Sequence, residues 1–398
     1  MRQGEAIVKE RLWNSNYVKV WVANFMIFFS FMLLTPLMPS YLSDVFGANK
    51  QTIGIVLSGY TLTTLLVRML SGYLVDSFPR RTVLVVSYVL FALFFAGYLV
   101  AGSLVLFAIV RTLHGAPFGA ATVSNSTVAI DVLPSSRRAE GIGFYGLSNN
   151  LATAISPSVA LLLFGMHSDY KMLFWVALAV AFIGLWCTMS VRCRPRESVK
   201  NKQPLSLDRF LLLKAWRNSL SLICYAFSYG LLATYIAIYG KEKLDITGGT
   251  GLFFLLLAVG LMMSRLVGSR TLRRGLVVPN ATVGTAIALV GYLIFASVHN
   301  VWGYYGAALV IGLGNGLMFP AFQTMYINLA HNSQRGTANS TLLVSWDIGI
   351  GLGVLVGGIV SEHAGYIAAF WVAFAVNAVG TVLFHWLARG YFEQHKLR

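Results

Sequence analysis

Four charged side chains sit deep inside apolar stretches of this sequence: Arg68, Arg111, Arg265 and Asp347. A charge near the middle of a bilayer costs at least about 2.5–3.5 kcal/mol on insertion scales, so each one needs a reason to be there. Asp347 is the single carboxylate so placed, and the balance between desolvation and any neighbouring arginine decides whether it exchanges a proton. Two readings of Asp347 follow: a proton-coupling site, or a permanent ion pair that ties parts of the molecule together. The guanidinium of Arg111 stays charged and offers a planar fork, so it can hold a substrate carboxylate or keep a nearby acid ionised. His114 lies three residues further on a similar helix face. Histidines titrate near neutral pH, which suits a proton relay; the competing reading is a neutral, hydrogen-bonded packing residue. Arg68 and Arg265 stand one or two turns from basic loops and can either snorkel to the surface or line a cavity.

The elements that must carry these charges follow from composition. Of 398 residues, 57% are hydrophobic and 11% charged, against roughly 25% charged in a soluble globular protein. Mean hydropathy is +0.70. A water-soluble enzyme is excluded. A span needs roughly 20 apolar residues, and the chain divides into twelve of them, near 17–43, 52–75, 82–101, 104–130, 138–164, 170–191, 216–240, 249–270, 277–297, 302–330, 337–360 and 365–388. Phe, Leu, Val and Gly occupy every side of these runs, without the alternation of a membrane barrel. The fold class expected is therefore an all-α integral membrane protein of twelve helices, because helices satisfy their own backbone polar groups in lipid.

Net charge is +16, which fits either a nucleic-acid surface or cationic loops that set membrane orientation. With the N-terminus inside, 23 Lys and Arg fall on the inner side, among them Arg80, Arg81, Arg137, Arg138, Arg273, Arg274 and Arg335, against Lys50, Lys171, Lys241 and Lys243 outside. That asymmetry predicts a multi-pass protein of the cytoplasmic (inner) membrane with both termini in the cytosol and no nucleic-acid partner. The first helix is expected to be retained, since its apolar run is too long for a signal-peptide core. Cys187, Cys193 and Cys224 show no paired spacing, so neither a disulfide framework nor a zinc site is expected. A basic stretch over 192–215 separates an N-terminal six-helix bundle, 1–191, from a C-terminal one, 216–398. At an offset of 197 residues Arg138-Ala139-Glu140-Gly141 meets Arg335-Gly336-Thr337-Ala338, Asn150 meets Asp347, and Arg68 meets Arg265. Ordered matches of this kind point to an internal repeat.

The loop Gly72-Tyr73-Leu74-Val75-Asp76-Ser77-Phe78-Pro79-Arg80-Arg81 resembles the signature Gly-x-Leu-x-Asp-x-x-Gly-Arg-Arg/Lys of the major facilitator superfamily, with Pro79 in place of the later glycine. Arg111-Thr112-Leu113-His114-Gly115 is similar to the mid-membrane Arg-x-x-x-Gly element of that family's proton-coupled exporters. In span 5 the antiporter signature survives as Ser156-Pro157-Ser158-Val159-Ala160-Leu161, while Gly353 to Gly358 in span 11 keeps its glycines better. The chain looks most like the twelve-helix drug:proton antiporter branch, folded as two pseudo-symmetric bundles. The resemblance implies a conformational latch of Gly72, Asp76, Arg80, Arg81 and Asp131, in which Asp76 faces a neighbouring helix N-terminus and Asp131 pairs with arginine.

It also implies that spans 1, 4, 7 and 10 line a central cavity, completed by faces of their neighbours. The polar and aromatic residues so placed are Asn24, Phe28, Tyr60, Tyr145, Asn149, Tyr229, Asn315, Phe319, Gln323 and Trp346, with Arg68, Arg111 and Arg265. Such walls suit an amphipathic ligand. The expected function is secondary transport of a small organic molecule by alternating access, as proton-coupled efflux of drug-like or amphipathic compounds, with Asp347 and His114 handling the proton. Three intramembrane arginines against one acid keep an anionic substrate, such as an organic acid, a metallophore or an acidic lipid, as the alternative, beside a sugar. Its partners are then the substrate, protons and the lipid bilayer, for a monomer with no cofactor and no metal. A membrane-embedded enzyme is disfavoured, since His-Glu-x-x-His is absent and His114 has no obvious nucleophile beside it. A receptor without transport is disfavoured by the lack of a sizeable soluble domain.

Overall fold

The computed structural model describes residues 11–48, 50–193, 210–246 and 250–397. The basic stretch expected over 192–215 is thus described only at its two ends, and Arg2, Lys9, Arg194, Arg196, Lys200, Lys202, Arg209 and Arg398 lie outside the described residues.

Span 1 breaks where the sequence places prolines. Helix α1, Ser15–Leu34, stops before Pro36, and a short α2, Met38–Phe46, restarts with Pro39 in its first turn and ends on Gly47 at φ +63°. Proline lacks the donor that would continue α1, yet is tolerated at a helix start. The following helices are α3 (Lys50–Ser77), α4 (Arg80–Val100), α5 (Leu104–Val132), α6 (Arg138–His167) and α7 (Tyr170–Met189). The second half holds α8 (Trp216–Leu244), α9 (Thr250–Arg273), α10 (Val277–Ser297), α11 (Val301–Leu329), α12 (Arg335–Leu383) and a terminal α13 (Arg389–His395). Helix α12 is two spans in one, bent at Gly365, whose φ of +84° a side chain would resist. Asn14, Ser103, Asp169 and Asn300 each precede a helix and accept a first-turn N–H, which fixes where those helices begin.

The repeat seen in the sequence recurs as geometry. A Cβ added at Gly119 of α5 would stand 2.8 Å from the carbonyl oxygen of Thr64 in α3, and one at Gly316 of α11 would stand 2.7 Å from that of Leu261 in α9. Both pairs sit 197 positions apart. Gly115 against Tyr60 and Gly312 against Leu257 repeat the relation one turn away. Small residues at these crossings let the backbones approach, which is how helices bind one another where lipid removes the hydrophobic drive.

One apolar cluster lies wholly within the first half, around Tyr88, Phe91, Phe95, Tyr98 and Phe107. Another lies within the second, around Phe253, Phe295, Tyr304 and Phe370. A third joins them: Ile130 and Ile142 of the first half pack with Met318, Phe322, Met325 and Tyr326 of the second. This shared core lies at the end of the bundle where α3, α5 and α11 finish and α4, α6 and α12 begin, called the junction end below. Outward-facing Leu62, Leu66, Leu70, Leu355 and Ile359 are exposed, as lipid contact requires.

Candidate functional site

Three groups of polar side chains follow one another from the far end of the bundle to the junction end. The first surrounds Arg111, seven residues into α5 and so about 11 Å from its start. Only 4% of Arg111 is exposed. Its guanidinium lies over the rings of Tyr60 and Phe31, at 4.4 and 5.1 Å from their centroids, and donates to the Tyr98 hydroxyl at 3.3 Å. Among the described residues no carboxylate pairs with it, and its Nε has no hydrogen-bond partner. His114 is fully buried with Nδ1 2.8 Å from the same Tyr98 hydroxyl, and Phe91, Phe94, Phe95 and Tyr60 enclose its ring. Phe118 packs edge-on against Phe28 and tilted against Phe31 and Tyr60.

The second group lies where the halves meet at mid-depth. Arg68 of α3 forms an ion pair with Asp347 of α12, and its guanidinium also stands 5.6 Å from the Phe118 ring. Beside the pair the Ser340 hydroxyl of α12 donates to the main-chain carbonyl of Arg68, a further bond between α12 and α3. Asp347 therefore meets Arg68, not the Arg111 group. Side-chain exposure is 7% for the arginine and 21% for the aspartate, so the carboxylate remains reachable. Arg265 of α9 is 5% exposed and donates to the Gly143 carbonyl of α6, with its guanidinium against Gly146. It has no carboxylate partner among the described residues. Trp346 beside Asp347 packs on Tyr229 at 5.7 Å and on Phe319 at 5.1 Å, an aromatic wall in the second half.

The third group clamps the junction end. Asp76, at the end of α3, accepts the backbone N–H groups of Gly336 and Thr337 at 2.9 and 2.8 Å and the Thr337 hydroxyl at 3.0 Å. These N–H groups belong to the first turn of α12, where backbone donors have no carbonyl of their own helix to bond and the helix dipole favours an anion. Arg80 bridges Asp76 and Asp131, and Asp131 also takes Arg335 at 3.0 Å. Asn339 of α12 donates to Ser126 of α5 and accepts from Gln323. Gly72 admits this contact: a Cβ there would lie 2.8 Å from both Thr337 Cα and Ser340 Cβ. Arg81 takes no part in it, turning instead to the Met189 carbonyl of α7 at 2.7 Å.

Other residues read from the sequence are spread more widely. Asn24 and Tyr145 are buried in a network inside the first half, where Tyr145 donates to Asn24 at 2.7 Å, Asn24 to Ser148 at 2.8 Å and Asn125 to Tyr145 at 2.9 Å. Asn149 accepts from Thr153 within α6, and Asn315 is buried in α11. Sequence reasoning missed Tyr98 and Phe31 around Arg111, and Ser126, Asn339, Gly336 and Thr337 at the clamp. Only the last two left a signal, because the repeat had already marked Arg335 to Ala338 as a helix start.

Among the described residues, helices long and apolar enough for twelve spans, α12 counted as two, fall in two like halves with charges buried where the halves meet and a clamp at one end, as in a multi-pass membrane transporter. The chain belongs to the Major Facilitator Superfamily, whose family model matches residues 20–353 and 281–397. Over 389 residues it is 24% identical to the uncharacterized MFS-type transporter YhhS of Escherichia coli, covering 93% of this chain and 92% of that one. It is 22% identical to the staphylopine export protein of Staphylococcus aureus over 366 residues, covering 88% and 90%. The fold is similar to the human organic anion transporter MFSD10 (TM-score 0.80, 16% identity, 93% and 98% covered) and to the transporter FucP in its outward conformation (0.79, 17%, 95% and 99%).

Proposed function

We propose that this protein is a proton-coupled exporter of small amphipathic molecules that carry an acidic group, working by alternating access. The observation that carries the substrate class is Arg111: a buried guanidinium over two aromatic faces, with no carboxylate among the described residues to neutralise it. A ligand with a carboxylate and an apolar ring satisfies both halves of that site at once. Two similar proteins support this class, one named for export of staphylopine and one for transport of organic anions.

The charge asymmetry puts the junction end in the cytosol, which makes the conformation described here closed to the inside. Opening it requires Arg68 and Asp347 to part. A proton arriving from outside at the exposed edge of Asp347 neutralises the carboxylate and frees Arg68. The halves then separate at the cytosolic end, and substrate enters. Loss of the proton to the cytosol restores the pair and the clamp of Asp76 on α12, and the loaded site turns outward. His114, bonded to the hydroxyl that Arg111 also uses, serves in this cycle to orient Arg111 through Tyr98.

Flux into proteoliposomes tests both parts, with aryl carboxylic acids and their neutral amides as probes. Removing a charge-assisted bond worth about 1.5–3 kcal/mol should make Arg111→Gln lose about ten- to hundredfold in apparent affinity for the acids, with Arg111→Lys between. Amides moved as well as acids, or acids moved normally by Arg111→Gln, would sink the substrate class. Flux that ignores a pH gradient, and is untouched by Asp347→Asn, would sink the coupling.

A further inference from the structure

A cleft of about 790 Å³ opens at the junction end, outside the seam between the halves, where the start of α1, the start of α4 and the end of α7 converge. Three cations line it: Lys19, Arg81 and Arg192. Lys19 donates to the Ser190 carbonyl at 3.0 Å and Arg81 to the Met189 carbonyl at 2.7 Å, which fastens the end of α7 to the other two helices. Asn16 holds the main chain of Arg192 in both directions, at 3.1 Å each, leaving the Arg192 side chain uncommitted to those bonds. Among the described residues none of the three cations has a carboxylate partner. An ammonium carries three donors and a guanidinium five, so each keeps N–H groups to spend on an anion.

The surroundings say what kind of anion. The cleft sits at the ends of three helices long and apolar enough to span a membrane, and the ends of such spans meet the headgroup layer. From its rim an apolar stripe runs down the outer face of α7 through Met189, Trp186, Ile183 and Phe182, with Trp186 74% exposed. On α4, Val86 and Leu90 are exposed as well. Trp13, also exposed, adds a second indole at this level, where membrane proteins favour tryptophan. A free inorganic anion would need the cations alone. A ligand with a phosphate at one end and hydrocarbon at the other uses both cations and stripe.

We infer that the cleft between α1, α4 and α7 is a binding site for an anionic phospholipid, its phosphate held by Lys19, Arg81 and Arg192 and its acyl chains laid along α7. Basic recesses between membrane helices bind lipid headgroups by this chemistry, and a basic residue near an anionic membrane surface is worth about fivefold, or about 1 kcal/mol.

Native mass spectrometry of the full-length protein, titrated with phosphatidylglycerol, cardiolipin or phosphatidylcholine of matched acyl chains, tests the site. One phosphatidylglycerol or cardiolipin should be retained in preference to phosphatidylcholine. That preference should fall about fivefold in Lys19→Gln and again in Arg192→Gln, and survive in Lys19→Arg. Arg192→Gln keeps the main-chain bonds to Asn16, so it reports on charge even if Lys19→Gln disturbs folding. Equal retention of phosphatidylcholine, or wild-type retention by Arg192→Gln, overturns the proposal. So does millimolar inorganic phosphate that displaces the lipid and reproduces its thermal stabilisation, which would make this a free-anion site.

Discussion

The pair of Arg68 and Asp347 ties the two halves electrically at mid-depth, as Asp131 and Arg335 do at the junction end. The four intramembrane charges were legible in the sequence because apolar neighbours make any charge conspicuous. Their partners were not, since Arg68 and Asp347 stand 279 positions apart, and hydropathy says nothing of how helix faces turn. The same limit hid which of the three arginines Asp347 meets. Asp347→Asn leaves the Arg68 guanidinium buried without its carboxylate, which costs about 3–5 kcal/mol in the closed conformation. Neutralising both, as in R68Q/D347N, removes the stranded charge as well. The double variant should therefore be more stable than D347N alone, by thermal unfolding in detergent, giving a coupling of more than about 1 kcal/mol in the mutant cycle. Strictly additive losses would mean that the pair holds nothing together.

At the scale of elements, the end of α3 and the start of α12 form the clamp, and Gly72 sets how closely they approach. A methyl group in Gly72→Ala would meet the backbone of Thr337, which cannot swing aside as a side chain can. We expect α12 to be pushed off Asp76 and the junction end to open. Ser126, buried under Asn339, is a reporter for this. A cysteine placed there, as in S126C, should react several times faster with a water-soluble maleimide when Gly72→Ala is present. Unchanged protection would show that the crossing absorbs the extra group. The loop's resemblance to the family signature put Gly72 and Asp76 in a latch and turned Asp76 toward a helix N-terminus. It did not show which helix is approached. Nor did apolarity reveal the break between α1 and α2, although Pro36 and Pro39 carried the signal.

Across the whole molecule the two halves repeat one another, and the departures from that repeat mark where they do different work. Arg68 and Arg265 occupy equivalent places, one turn beyond the matching crossings at Thr64 with Gly119 and Leu261 with Gly316. Arg68 meets Asp347, whereas the position equivalent to Asp347 is Asn150, and Arg265 rests on the Gly143 carbonyl instead. At this depth the seam is thus tied by an ion pair on the α3 and α12 side and by a neutral acceptor on the α6 and α9 side. A neutral acceptor gives way more easily, which suits a seam that opens in the proposed cycle. Asn150 follows Gly146 by four residues on α6, and Gly146 abuts the Arg265 guanidinium, so the two share a helix face. Asn150→Asp should give Arg265 a carboxylate and add an ion pair across the α6 and α9 side of the seam. If the added tie is worth about 1.4 kcal/mol, transport slows about tenfold, while the unfolding temperature rises. Asn150→Gln, which adds no charge, should do neither. Proteoliposome flux and thermal unfolding measured side by side give the answer. A charged variant that transports at the normal rate without added stability would mean that the missing carboxylate is no part of how the seam opens.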